Sequence, residues 1–154
     1  MGGFSGSVQS VITQTSGMQV THTDSTAEVV LATINIPPLQ QNSQIRVSFL
    51  SSVTNNANTK TLRVRFGGTS GTIYYLNSQT STVNTQGFVI VRNRGLTNSQ
   101  VGAPYVLVTG SSAGALVTSS VDTSSASTIV ITGQLQSGAD SISLESYTVE
   151  VINP

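Results

Sequence analysis

Short runs of alternating apolar and polar residues, separated by turn residues, dominate the chain from Glu28 onward. Ile45, Val47 and Phe49 alternate with polar residues, so they share one face of an extended strand. Lys60–Phe66 repeats the pattern, again with its apolar residues on one face. No segment shows apolar residues sustained at the 3.6-residue period of a helix. The pattern therefore predicts an all-β chain.

The predicted strands are short and are separated by turn residues. They lie at 28–36, 44–50, 60–66, 72–76, 88–94, 105–109, 115–119, 128–132 and 141–152. In the last strand the apolar positions change phase between Leu144 and Tyr147, which predicts a β-bulge near Glu145 and Ser146. About eight such strands predict a single antiparallel jelly roll or β-sandwich.

The amino-acid composition and patterning of the chain change near residue 25. Residues 1–24 are rich in Gly, Ser, Thr and Gln with scattered single apolar residues, which predicts an extended N-terminal arm. Residues 25–154 predict one sandwich domain, as the length of 154 residues suggests.

The composition is polar but almost uncharged. Only 8% of the residues are charged and the net charge is zero. Disorder usually accompanies high net charge and few β-branched residues, whereas Val, Ile and Thr abound here, so a folded chain is expected. Phosphate binding needs clustered surplus Lys and Arg, so we expect no nucleic-acid partner.

The charged residues are segregated along the chain. The bases all lie in its middle: Arg46, Lys60, Arg63, Arg65, Arg92 and Arg94. The acids all lie outside that stretch: Asp24, Glu28, Asp122, Asp140, Glu145 and Glu150. If the first and last strands meet, this order sets an acidic sheet region beside a basic one; the alternative is a chance distribution.

The sequence offers little catalytic chemistry. There is no cysteine, and therefore no disulfide, thiolate site or thiol nucleophile. The segment 110–114 (GSSAG) matches the G-x-S-x-G nucleophile elbow around Ser112, but that motif needs a strand-to-helix turn followed by an acid and a histidine. The single histidine, His22, lies far upstream. We therefore expect no catalytic residues and no enzyme.

Metal and cofactor binding are not expected either. His22 alone cannot build a zinc site and is expected to be solvated in the arm. Asp122, Asp140 and Glu145 are too scattered in sequence for the several carboxylates of a calcium site. The sequence predicts no cofactor, no metal and no small-molecule ligand.

No membrane partner is expected. No stretch approaches the roughly 20 apolar residues that cross a bilayer. The first residues lack the basic start and apolar run of a secretory signal.

Two groups of side chains are candidate interface residues. The first is a basic band, which either forms a solvated outer face paired with the acids or lines a protein contact, where Arg is enriched: Arg46, Arg63, Arg65, Arg92 and Arg94. The second group lies either at the core edge or at an interface: Tyr74, Tyr75, Tyr105 and Tyr147. Adjacent Tyr74 and Tyr75 should point to opposite faces of their strand, so one should face outward.

Three segments resemble a jelly-roll module of structural proteins of tailed bacteriophages. They are Thr54–Gly68 (TNNANTKTLRVRFGG), Val91–Gln100 (VRNRGLTNSQ) and Val121–Pro154, whose landmarks include Asp122-Thr123 and Asp140. The resemblance covers roughly residues 28–154 and implies a homotrimer similar to tumour-necrosis-factor-like trimers. Such modules serve as capsid decoration (cement) proteins, head fibres or tail-fibre domains.

A short arm without a long shaft favours a decoration protein over a tail fibre. The expectation is a protein on the outer surface of the virion, bound as a trimer to the assembled major capsid protein, with the arm gripping the shell. The candidate capsid-binding residues of the arm are Phe4, Val8, Val11, Ile12, Met18 and Val20. The alternative is a receptor- or glycan-binding fibre domain.

Overall fold

The computed structural model describes residues 10–103 and 114–154, and it contains eleven strands and no helix in those residues. The strands are β1 (Ser10–Ser16), β2 (Val20–His22), β3 (Val29–Ile36), β4 (Gln44–Val53), β5 (Lys60–Phe66), β6 (Thr72–Gln79), β7 (Asn84–Asn93), β8 (Gln100–Gly102), β9 (Val117–Ser119), β10 (Ser127–Leu135) and β11 (Ile142–Asn153). No described helix is long and apolar enough to cross a bilayer.

The strands form two antiparallel sheets. The larger sheet has seven strands in the order β1-β11-β4-β7-β8-β9, with β2 also paired to β11. The smaller sheet has the order β3-β10-β5-β6. This architecture confirms the predicted all-β antiparallel sandwich of the jelly-roll class, although it has more strands than the predicted number.

The core lies between the inner faces of the two sheets. Alternate residues of each strand point into it, among them Val47 of the larger sheet and Val64 of the smaller one, both fully buried. Phe49 and Tyr75 meet across the sandwich edge to face, with ring centroids 4.9 Å apart. Each fully buried aliphatic or aromatic side chain contributes roughly 1.5–3 kcal/mol of hydrophobic stabilisation.

The predicted positions of most strands agree with the structure. β5 has the predicted bounds, and β4, β6 and β10 extend a few residues beyond theirs. The register of β11 against β4 shifts between Leu144 and Ser146, which confirms the predicted bulge. The strand predicted at 105–109 lies outside the described residues.

The N-terminal segment corrects the predicted arm. Ser10–Ser16 pairs along β11 from Asn153 to Tyr147, and Val20–His22 continues along the same strand. Residues 10–22 are therefore edge strands of the larger sheet rather than a separate arm. An edge strand needs few apolar residues, which explains why its polar sequence did not indicate a strand.

His22 is also placed differently from the prediction. Its side chain is buried rather than solvated, and Nε2 lies 3.1 Å from the carbonyl oxygen of Ala27. The reason is its place at the end of β2, opposite Ile142 of β11, which brings it against the core.

Candidate binding surface

The described part of the chain was predicted to hold neither a catalytic site nor a metal site. No group of three His, Asp or Glu side chains is arranged to hold a metal ion there. Ser112 and the rest of the segment 110–113 lie outside the described residues, as does Tyr105.

A buried lysine organises the loop between β4 and β5. Lys60 is fully buried, and its Nζ donates to the carbonyl oxygens of Asn58 at 2.8 Å and Thr80 at 3.1 Å. Nζ also donates to Oδ1 of Asn56. Buried charges persist only where such partners replace water, so this ammonium fixes the loop around itself.

Asp140 completes this cluster from the loop before β11. Its carboxylate is buried and accepts hydrogen bonds from the side-chain amides of Asn56 and, at 2.9 Å, of Asn58. The amide of Asn56 lowers the pKa of Asp140, and the amide of Asn58 and the charge of Lys60 lower it further despite partial desolvation. Two segments singled out by the phage resemblance therefore meet in one structural cluster.

A second buried cluster joins three loops through Gln100. Its Nε2 donates to Oδ1 of Asn93 at 3.0 Å and to the carbonyl oxygen of Val121 at 3.0 Å. Its Oε1 accepts from the backbone N–H of Val121 at 2.9 Å and from the hydroxyl of Ser119 at 3.0 Å. Asn93 in turn donates to Thr123 at 2.8 Å. These residues hold the loops together and offer no free group to a ligand.

The predicted basic band is wrong as a single surface. Arg63 and Arg65 lie on β5 of the smaller sheet, whereas Arg46 and Arg92 lie on β4 and β7 of the larger sheet. The two sheets are separate layers of the sandwich, so these arginines cannot form one stripe. Arg94, in the loop after β7, is exposed.

Arg63 and Arg65 form a closed ionic cluster with Glu28. Arg65 contacts the Glu28 carboxylate at 3.0 Å and Arg63 contacts it at 3.4 Å, while Thr132 donates to it at 2.6 Å. Burial raises the pKa of Glu28, but the hydrogen bond from Thr132 and the two arginines outweigh it and lower the pKa below its ordinary value. Of the two alternatives for these arginines, the structure favours pairing with an acid.

Acidification is expected to weaken this cluster. The pKa of Glu28 is lower in the folded chain than in the unfolded chain, so its carboxylate stabilises the fold above the ordinary glutamate range and stops doing so as the pH falls through the lowered value. Glu28→Gln should therefore reduce the melting temperature at neutral pH and have less effect in acid. Melting curves at both pH values test this, and an equal difference at the two would contradict it. Glu150→Gln, which removes only an exposed 3.4 Å contact with Arg46, should have a smaller effect.

The tyrosine pair departs from simple alternation. Tyr74 and Tyr75 are both buried, at 1% and 3% exposure. Against β5, Tyr75 pairs with Val64 while Ile73 pairs with Arg65, so Tyr74 is the extra residue of a β-bulge and both rings turn inward. The prediction that one of them faces outward is wrong. Burial raises the pKa of both phenols.

The remaining candidate interface residues, Tyr147, Arg46 and Arg92, lie on the larger sheet. Tyr147 is half-buried and packs against the core. Arg46 and Glu150 are cross-strand neighbours joined at 3.4 Å, so acids and bases of distant sequence meet here as expected. Arg92 donates to the side chain of Gln44.

The outer face of the larger sheet carries an uncharged patch. Two cross-strand rows form it, and we name it the central patch: Thr148, Ser48 and Phe88 in one row and Ser146, Leu50 and Gln86 in the other. Phe88 is 57% exposed and Leu50 is 38% exposed, and they are diagonal neighbours on adjacent strands. An exposed aromatic beside an exposed aliphatic residue on a flat sheet face is typical of a protein contact.

A shallow depression of about 250 Å³ lies within the central patch. It is lined by five of the patch residues together with Phe49 and Tyr147. It is open to solvent and has no charged lining residue, so it suits a neighbouring side chain better than a charged ligand.

Comparison with known proteins finds similarity to solved structures only at low sequence identity. No protein-family model matches the chain, and no curated protein sequence matches it. The pilus of Bacillus endospore appendages is 10% identical with a TM-score of 0.49, over 99% of this chain and 96% of that one. A structure of infectious bursal disease virus, Gx strain, is 13% identical with a TM-score of 0.45, over 95% of this chain and 32% of that one. Lectin II from Ulex europaeus is 10% identical with a TM-score of 0.43, over 93% and 99%. Similarity at this level carries no information on function.

The sequence alone missed the central patch, although it carries a signal. Phe88, Val89, Ile90 and Val91 are consecutive apolar residues, whereas a strand with one solvated face alternates. Such a run indicates a strand whose two faces are both covered. One cover is the core, and the residues that the structure describes supply no second cover over Phe88.

Proposed function

We propose that this protein is a non-enzymatic structural component of a virus particle, a phage capsid decoration protein that binds the outside of the major capsid lattice as a homotrimer. The observation that carries the proposal is the exposed, uncharged central patch with Leu50 and Phe88 at its middle. It gives the domain a surface for protein contact, in a chain whose buried polar groups serve structure.

The resemblance to phage jelly-roll modules supports the viral assignment. The segments that carry it supply the Lys60–Asp140 cluster and the Gln100 cluster, which fix the loops at two places in the sandwich. Residues that hold loops in place are the landmarks that a shared structural module would retain.

The N-terminal segment is the proposed shell-binding element. Met18 is 76% exposed in the turn between β1 and β2, and Val20 beside it is 36% exposed. Of the other candidate residues, Val11 and Ile12 lie in β1, and Phe4 and Val8 lie outside the described residues. We assign shell contact to this exposed apolar edge of the larger sheet.

Such a protein stabilises the shell by mass action. A ligand that binds the assembled lattice and not its free subunits lowers the free energy of the assembled state. Three linked copies raise the effective concentration of each contact, so individually weak contacts suffice.

Co-sedimentation with purified capsid shells tests the proposal. The protein should pellet with assembled shells and not with free capsid subunits, and electron microscopy should locate it on the head. Removing residues 1–9 together with Met18→Ser should weaken shell binding while leaving β1 in place. Val30→Ser, at an exposed apolar residue on β3 outside this segment, is the control. No binding to shells would contradict the proposal, and binding to host cells or polysaccharide would favour the fibre alternative.

A further inference from the structure

We infer that the central patch is the contact between copies of this chain, with Leu50 and Phe88 of neighbouring copies meeting around the symmetry axis. This inference rests on the proposed function, which supplies the expectation of three copies, and adds the surface through which they meet. It assigns the self-contact to the outer face of the larger sheet and leaves the N-terminal segment for the shell.

The charges on this face favour a second copy as the occupant. Close to a symmetry axis each side chain approaches the same side chain of the other copies, so a charged residue there would face its own charge. The six residues of the central patch are all uncharged. A patch for a different protein has no such requirement, because the partner can carry the opposite charge.

The charged side chains around the patch already have partners on their own chain. On one side Arg46 contacts Glu150 at 3.4 Å. On the other side Glu145 accepts hydrogen bonds from Ser52 and, at 2.9 Å, from Gln19. An apolar centre within a rim of hydrogen-bonded polar groups is the anatomy of a protein interface.

The outer face of the smaller sheet is different. Glu28, Arg63 and Arg65 lie across it, and the outward-facing Val130 beneath them is only 1% exposed. Around Val130 this face is covered by its own chain, whereas Val30 at its β3 side is 45% exposed. The larger sheet has no equivalent cover over Leu50 and Phe88 among the described residues.

Phe88 is the expected centre of the contact. Aromatic residues in the middle of an interface carry a large share of its energy, and truncation of such a residue commonly weakens association about thirty-fold or more. The depression beside Phe88 is lined by Ser48, Leu50 and Gln86, among others, and can receive the ring of a neighbouring copy.

The mass of the purified protein in solution, measured at a series of concentrations, tests the inference. The unmodified protein should be an oligomer at micromolar concentration. Phe88→Lys sets identical charges against one another at the axis, and Phe88→Ser removes the ring. Both should raise the dissociation constant at least about thirty-fold and yield folded monomer, as judged by circular dichroism. Leu96→Lys, at a residue 55% exposed in the loop after β7, should leave the oligomer unchanged.

Two results would overturn the inference: an unmodified protein that is monomeric at these concentrations, or Phe88 variants that retain the wild-type mass. Neither depends on the shell. Failure of the unmodified oligomer to pellet with shells would count against the decoration function alone, so the two proposals can fail separately.

Discussion

Replacing Lys60 with methionine is expected to lower the free energy of unfolding by about 3 kcal/mol. The Nζ atom is fully buried and donates to the carbonyl oxygens of Asn58 and Thr80 and to the side chain of Asn56. Methionine fills a similar volume but donates no hydrogen bond, so the partly buried acceptors on Asn56 and Asn58 lose their shared donor. The buried carboxylate of Asp140 also loses its nearby positive charge.

Denaturant unfolding of the two proteins measures this difference. Arg94→Met is the matched control, since it removes an exposed cation and should change stability by less than about 0.5 kcal/mol. A Lys60→Met protein as stable as the wild type would show that the loop rearranges to satisfy its own carbonyl groups, and the structural role given to Lys60 would be wrong.

Replacing Gln100 with leucine should have a comparable effect, about 3 kcal/mol, for a different reason. Gln100 is neutral, but its buried amide hydrogen-bonds to several groups at once: Asn93, Ser119 and both backbone groups of Val121. Leucine has nearly the same size, so the loss comes from buried polar groups left unpaired and not from a cavity.

Hydrogen exchange locates this loss more sharply than a melting curve. The backbone N–H of Val121 should exchange faster in Gln100→Leu, and Thr123, held by Thr97 and Asn93, should follow it. Gln41→Leu, at an exposed residue, should change neither stability nor exchange. If the N–H of Val121 exchanged as slowly in Gln100→Leu as in the wild type, the role given to Gln100 would be wrong.

The sequence predicts the strands well wherever one face is buried and the other solvated. β5 alternates between Leu62, Val64 and Phe66 and its two arginines, and its bounds were predicted to the residue. The bulge in β11 was predicted because it shifts the apolar phase of a long strand, and a phase shift is visible in sequence.

Three other features of the fold leave no recognisable pattern in the sequence. β1 is mostly polar because it lies at a sheet edge, and it is held mainly by backbone pairing, which any sequence can provide. The bulge at Tyr74 is hidden because tyrosine is compatible with either face of a strand. Burial of Lys60 and Asp140 depends on two loops far apart in sequence, so neither residue alone indicates it.

The order of strands in the sheets bears on how the chain is made. β10 lies between β3 and β5, and β11 lies between β4 and β1, so each sheet has an interior strand that is synthesised after residue 126. A nascent chain ending before Ser127 holds β3 and β5 with no strand between them. The smaller sheet therefore cannot close until Ser127–Leu135 has left the ribosome, and the larger sheet cannot close until Ile142–Asn153 has. Pairing between strands so distant in sequence is expected to make folding slow.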